Sequence, residues 1–424
     1  MVEGNAQLTV SADRSSVRAP MDKALLISIL LLCVFGLVMV FSASAVEAGK
    51  KFGNPMLFFN KQAIFAGIGI LSMLVLSRVD YGIYKKSVIV WTLLALSFFA
   101  VLACKTPLGL TLNGAARWLK AGPITIQPAE AMKVCLVLWL SYSLNKKSLK
   151  IKSFSIGFLP HLIIPGMLMA ACMLQPDFGT TVVMAVLTFA LLFVAGAKLG
   201  YILLAGIVST PVVYFLITGS TYRLARMMTF LDPLATRFTT GYQLSQSLFG
   251  YASGGMTGRG LGDGLQKLLY LPEAHNDFIG SIIGEELGVI GIWGVLLLYV
   301  VVVTRGIVIA FKSKDTFGTF VAFGLSILFA VQALMNLAVS MGLLPTKGLN
   351  LPFVSYGGSA LLITMSAAGI LLSVSRGTKF EDDSVETDER NETPDAELAA
   401  PDSGKKGRGN RRFSRQRRTA SKSS

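Results

Sequence analysis

Ten stretches of this chain are too long and too apolar to sit on a water-facing surface. They fall near 24–44, 62–77, 87–104, 129–145, 156–174, 180–197, 200–219, 278–304, 317–342 and 358–375. A helix crossing the hydrocarbon core of a bilayer needs about 20 mostly apolar residues, and these runs approach or meet that length. Composition agrees. Of 424 residues, 53% are hydrophobic and only 15% charged, with a mean hydropathy of +0.61, whereas soluble domains carry about a quarter charged residues. The expected fold is an all-α polytopic integral membrane protein with about ten transmembrane helices and a large extracytoplasmic loop between the seventh and the eighth. The fourth run is short and contains Lys133, and the eighth is interrupted by Glu285 and Glu286.

Lys and Arg in short loops set orientation. With the N-terminus in the cytoplasm, the inner side receives Arg14, Arg18 and Lys23, then Arg78, Lys85 and Lys86. It also receives Lys146, Lys147, Lys150 and Lys152, then Arg305, Lys312 and Lys314. The outer side keeps two long polar loops, near 105–128 and 220–277, and an even number of spans returns the C-terminus to the cytoplasm. Three regions follow: a cytoplasmic N-terminal segment at 1–22, the membrane domain at 23–376, and a tail at 377–424. The tail is acidic from Glu381 to Glu397 and basic from Lys405 to Lys422. It lacks apolar periodicity and is expected to be disordered, either as a plain solvated tail or in contact with anionic headgroups or a cytoplasmic partner.

Several function classes recede. The formal charge of +15 is concentrated at the ends and in short loops, which reads as topology and a basic tail rather than nucleic-acid binding. Cys33, Cys104, Cys135 and Cys172 form no CxxC pair, so neither a disulfide framework nor a metal site is expected. The polar first 23 residues and the length of the following run argue against a cleavable signal peptide. No internal repeat is evident, whereas a transporter built from two related halves would show one.

Charges near or inside a membrane are expensive, so each needs a reason. The loop Leu271-Pro-Glu-Ala-His-Asn-Asp-Phe278 carries Glu273, His275 and Asp277 just before an apolar helix, with Gly284-Glu-Glu-Leu287 about two turns on. Asp277 is placed either to cap that helix or to move a proton at the outer interface. Glu130 and Lys133, in Gln127-Pro-Ala-Glu130 and its continuation, lie three apart on one helix face and can pair. Asn113-Gly-Ala-Ala-Arg-Trp118 reads as a polar turn whose Arg117 could hold an anion bidentately. Gln175-Pro-Asp-Phe-Gly179 marks a break between helices, with Asp177 placed to cap the second. Pro345-Thr-Lys-Gly348 and Leu351-Pro-Phe-Val-Ser-Tyr-Gly-Gly-Ser359 are too rich in Pro and Gly for a helix. They suit a re-entrant turn or a phosphate cradle beside Lys347. Arg117, Lys133 and Lys347, with Glu130, Asp177, Asp277 and Glu286, are expected at neighbouring depths on the outer side, a pattern suited to a charged lipid headgroup.

These motifs, with Gly241-Tyr-Gln-Leu-Ser-Gln-Ser247, stand in the order seen in the SEDS family, which the chain resembles over roughly residues 22 to 376. The Lys in Pro345-Thr-Lys-Gly348 and the Ala in Pro272-Glu-Ala-His275 resemble its cell-division members more than its elongation members. Asn276, Ala129 and Gly280 depart from the usual pattern near the site but spare the carboxylates. The resemblance implies a peptidoglycan glycosyltransferase that polymerises lipid II at the outer face of the bacterial inner membrane, at the division septum. It implies Asp277 as the catalytic carboxylate and Arg117, Glu130, Lys133, Asp177, Gln246, His275, Glu286, Lys347 and Ser355 as substrate-binding candidates. It also implies a class B penicillin-binding transpeptidase of the FtsI type and other division-complex proteins as partners. A divalent cation, Mg or Mn, could help with the diphosphate, although no motif demands one. Two other functions fit a membrane protein that binds lipid II: a flippase, and a scaffold without chemistry.

Overall fold

Each apolar run overlaps a helix in the computed structural model, which describes residues 20–112, 115–122 and 124–377. Among the described residues there are twelve α-helices: α1 (Lys23–Phe52), α2 (Leu57–Arg78), α3 (Ser87–Ala103), α4 (Pro128–Lys146), α5 (Pro160–Leu174), α6 (Phe178–Val194), α7 (Leu199–Thr218), α8 (Thr221–Leu231), α9 (Tyr242–Gly254), α10 (Ile279–Lys312), α11 (Thr316–Ser340) and α12 (Gly358–Arg376). The tail beyond 377, and all of the N-terminal segment except Pro20, Met21 and Asp22, lie outside the described residues. Among the described residues, seven helical segments are long and apolar enough to cross a membrane, and α3 and α6 are apolar but shorter.

Local chemistry sets the helix ends. Asp22 caps α1 by accepting from the Leu25 N–H at 2.9 Å, and Asp315 caps α11 through the Gly318 N–H at 2.7 Å. Pro128 opens α4, where a missing N–H costs nothing. Two cores follow. One joins buried faces of α1, α2, α10, α11 and α12, and the other joins α3, α4, α5 and α6. The helix α7 buries none of its residues, and Leu203, Ile207, Val208 and Phe215 all point outward. A helix that is apolar all round and packed on so little requires hydrocarbon around it.

The connection at 105–128 is more ordered than a polar loop. It forms an antiparallel sheet of β1 (Gly109–Leu112), β2 (Ala115–Ala121) and β3 (Ile124–Ile126), in that order. Leu110 pairs with Trp118 and Leu119 with Ile126. The expected turn at 113–118 is corrected accordingly. Asn113 and Gly114 lie outside the described residues, while Ala115 through Trp118, with Arg117 among them, belong to a strand. Strand pairing satisfies backbone groups that a bare loop would leave to solvent.

The connection at 220–277 likewise contains α8, α9 and a π-turn at Gln266–Tyr270. Its middle is built onto α10, which breaks at Gly288 (φ 66°, ψ −162°), a conformation open to glycine alone. Around that break the N–H groups of Arg259 and Gly260 donate to the carbonyls of Glu285 and Glu286, each at 3.0 Å. Val289 and Ile290 donate back to Gly255 and Met256, at 3.0 and 3.2 Å. The two carboxylates complete the wrap. Glu285 accepts from the Leu265 and Gln266 N–H groups at 2.9 and 3.1 Å. Glu286 accepts from the Gly262 N–H at 3.0 Å, from Ser42 at 2.7 Å and from Lys267 at 2.7 Å. Irregular backbone survives at such depth only when its polar groups are satisfied within the protein.

Candidate functional site

A cleft of about 90 Å³ opens between β2, the start of α6, α8 and the segment 345–348. Four cationic side chains line it: Arg117, Arg223, Arg226 and Lys347. Among the described residues Asp177 is the one carboxylate in its wall, and its charge is partly committed to capping α6. It accepts from the Thr180 N–H at 3.2 Å and from the Thr180 hydroxyl at 2.8 Å. Asp277 stands beside the wall, against Gly348, where a Cβ on that glycine would come within 2.8 Å of Asp277 Oδ2.

Three of these cations are steered by a backbone or ring partner. Arg117 Nη2 donates to the Pro176 carbonyl at 2.7 Å and Nε to that of Gln175 at 3.3 Å, so the helix break at Pro176 holds the guanidinium in place. Arg226 donates to the Thr346 carbonyl at 2.8 Å and lies 4.6 Å over the Tyr222 ring. Lys347 Nζ sits 4.1 Å over the Phe178 ring. Arg223 keeps a buried Nε with no partner among the described residues, which leaves a donor for a ligand.

The carboxyl of Asp277 is pushed up to about 7. Burial is the main cause and Glu273 adds to it, while Arg226 and Arg117 pull the other way. Burial also lowers Lys347 to about 8 against the pull of Asp177, and it lowers Arg226 from its ordinary value. A carboxyl that titrates near neutrality can take a proton in a reaction run at neutral pH. It also does not cap α10. The capping position falls on Phe278, and no side-chain cap bond forms there. Of the two readings of Asp277, the cap is therefore set aside.

Neighbouring residues secure the Asp277 loop by its main chain. The Tyr356 N–H donates to the His275 carbonyl at 3.0 Å, and Ser355 Oγ to that of Asn276 at 2.7 Å. The His275 ring packs on Phe58 and Tyr356, with centroids 4.7 and 5.4 Å apart. Its Nδ1 lies 3.5 Å from Glu47. Burial lowers its proton affinity while Glu47 and Glu273 raise it. Ser355 and His275 thus brace the loop and do not line the cleft.

The other sequence candidates separate. Lys133 pairs with Glu130 at 2.7 Å, as their spacing requires. The ammonium is 1% exposed and is absent from the cleft wall. Glu130 instead lines a smaller pocket with Gln332, Asn350 and Ser355. Glu286 is bound to Lys267, Ser42 and Gly262 in the α10 wrap. It does not share the Asp277 cleft, because its carboxylate satisfies the returning backbone. Gln246 lies half-buried on α9, outside the cleft wall. Sequence reading missed Arg223 and Arg226. Their signal was available: two arginines three apart in Thr221–Leu231, a short helix with one polar face inside an outer loop. Among the described residues, no three His, Cys, Asp or Glu side chains converge to hold a metal ion.

The FtsW, RodA and SpoVE family model, described as a cell cycle protein, matches residues 23–380. The chain is 43% identical over 363 residues to a probable peptidoglycan glycosyltransferase FtsW of Trichlorobacter lovleyi, covering 85% of this chain and 95% of that one. It is 39% identical to the stage V sporulation protein E of Bacillus subtilis, covering 85% and 98% of the two chains. Among solved structures, it resembles a chain of a peptidoglycan synthase complex that coordinates polymerization and crosslinking. That match has a TM-score of 0.68 and 25% identity over 84% of this chain and 98% of the other. The rod shape determining protein RodA of Thermus thermophilus shares the fold, with a TM-score of 0.63 at 22% identity over 85% and 98% of the two chains.

Proposed function

Since the chain belongs to the cell cycle protein family of FtsW, RodA and SpoVE, we propose that it is a peptidoglycan glycosyltransferase that polymerises lipid II in the bacterial inner membrane. The observation that carries the reading is the Asp277 carboxyl, set against Gly348 beside a cleft walled by Arg117, Arg223, Arg226 and Lys347. The chemistry needs both parts. The 4-hydroxyl of an incoming lipid II attacks the anomeric carbon of the lipid-linked glycan, and a carbon–oxygen bond forms. The bond from that carbon to the diphosphate breaks, and its electron pair leaves on undecaprenyl diphosphate. The hydroxyl proton passes to Asp277. One displacement inverts α to β, so no covalent intermediate with the protein is required. The cations of the cleft meet the negative charge that builds on the leaving diphosphate. A magnesium or manganese ion arriving with the diphosphate would share that load.

Biology follows from the same reading. Both termini lie in the cytoplasm, the cleft faces outward, and the protein acts at the division septum. A class B penicillin-binding transpeptidase of the FtsI type crosslinks the strands it makes, within a larger division complex. The test is polymerisation of purified lipid II by the protein, alone and with such a transpeptidase. Asp277→Ala should insert and purify normally yet produce no glycan. Full polymerisation by that variant overturns the assignment of Asp277. Movement of lipid II across vesicles without glycan lengthening would instead favour a flippase.

A further inference from the structure

We infer that Asn336 is the positioning residue for Asp277: one buried amide holds together the two loops that enclose the carboxylate. The inference rests on the reading of Asp277 as the base. Asn336 projects from α11 and is 1% exposed. Its Nδ2 donates to the Asp277 carbonyl at 3.0 Å and to the Leu349 carbonyl at 2.6 Å. Both hydrogens of the amide are thereby used, one on the loop that enters α10 and one on the segment that carries Lys347 and Gly348. Gly348, beside Leu349, is the residue lying against the carboxylate. Ser355 and Tyr356 hold the loop at Asn276 and His275, but at Asp277 itself the side chain that ties the base to the Lys347 segment is Asn336.

Two features separate this from packing. The Asn336 Oδ1 is buried without a partner among the described residues. A buried oxygen left unpaired is costly, and an apolar side chain of similar size would avoid that cost. The opposite orientation of the amide would press its oxygen against two carbonyl oxygens, so the donors fix which way it points. Second, Asp277 is held only from behind. Glu273 from its own loop, Arg226 from α8, Arg117 from β2 and Asp177 at the start of α6 act on it through charge. Lys347 comes from the facing loop. Among the described residues, none of these donates a hydrogen bond to its carboxylate. A base fixed through its main chain keeps both oxygens free for a substrate hydroxyl.

The experiment compares wild type, Asn336→Leu and Asp277→Asn with purified lipid II across pH. Leucine keeps the volume and removes the donors. With the loops parted, kcat should fall roughly ten- to a hundredfold, the scale of a small misplacement of a reacting group, with KM within about threefold. Water reaching Asp277 should also move the acid limb of the profile toward ordinary carboxylate values. The carboxylic acid infrared band that disappears in Asp277→Asn reports the same midpoint without substrate. If wild type makes no glycan, the proposed reaction fails, and the infrared midpoint alone decides the role of Asn336. Should Asn336→Leu not insert, Asn336→Thr carries the test, because one short hydroxyl can serve at most one of the two carbonyls. Wild-type kcat and an unmoved midpoint in these variants overturn the proposal.

Discussion

Replacing Lys267 with methionine should destabilise this protein far more than removing the whole ion pair. Lys267 is 8% exposed and its partner Glu286 is 0% exposed, at 2.7 Å. The ammonium also donates to Ser42 at 3.1 Å and to the Gly262 carbonyl. Methionine matches the length of the lysine stem, so the packing against α1 is retained while the charge is lost. Glu286 is then left charged and buried, with Ser42 and the Gly262 N–H as its remaining donors. Breaking one side of such a pair typically costs about 3–5 kcal/mol. The double variant Lys267→Met/Glu286→Gln removes both charges and keeps an acceptor for Gly262, so it should lie within about 1 kcal/mol of wild type. Thermal unfolding in detergent, followed by tryptophan fluorescence at one fixed heating rate, reads the difference. The single variant should unfold roughly 5–10 °C lower, and the double variant should recover most of that. A Lys267→Met protein that unfolds with wild type, or a double variant less stable than the single one, would refute the assignment of this pair as structural.

The pH dependence of polymerisation follows from the burial of Asp277. Its carboxyl is raised to about 7, so it is protonated below that value and becomes the competent base above it. The rate should climb about sixfold from pH 6 to a maximum near pH 7.5, then decline as Lys347, lowered to about 8, loses its charge. A flat profile over that range would contradict a titrating base. Gly348→Ala sets a methyl 2.8 Å from Asp277 Oδ2, several tenths of an ångström inside ordinary contact. That variant should purify normally with kcat reduced roughly tenfold, and unchanged turnover would mean that the carboxylate tolerates displacement.

Much of this architecture was legible in residue order. The helices were readable because continuous apolar runs have few alternatives in a chain with so little charge, and the Glu130–Lys133 pair because i,i+3 spacing fixes proximity. Asp177 as a cap was visible from the Pro176 break. The strands at 109–126 were harder to see, since short mixed segments lack length and periodicity. Glu286 was misplaced for a different reason. Position along α10 gives its depth but not its azimuth, and Gly288 then breaks what would otherwise be a continuous helix. Arg223 and Arg226 were passed over because two arginines in an outer loop resemble ordinary surface until the helix presents both to one cleft.

The wrap around Gly288 also bears on the order in which the chain can be assembled. Segment 255–266 precedes Glu285 and Glu286 in the chain and so emerges first, yet its N–H groups find their acceptors on those two residues. Until α10 is delivered, this stretch has no permanent home in a lipid environment. The insertion machinery must therefore keep it at the aqueous margin while a further span is synthesised. A translation intermediate in which the segment has emerged while α10 is still held back should leave it open to protease, and release past the end of α10 should close it.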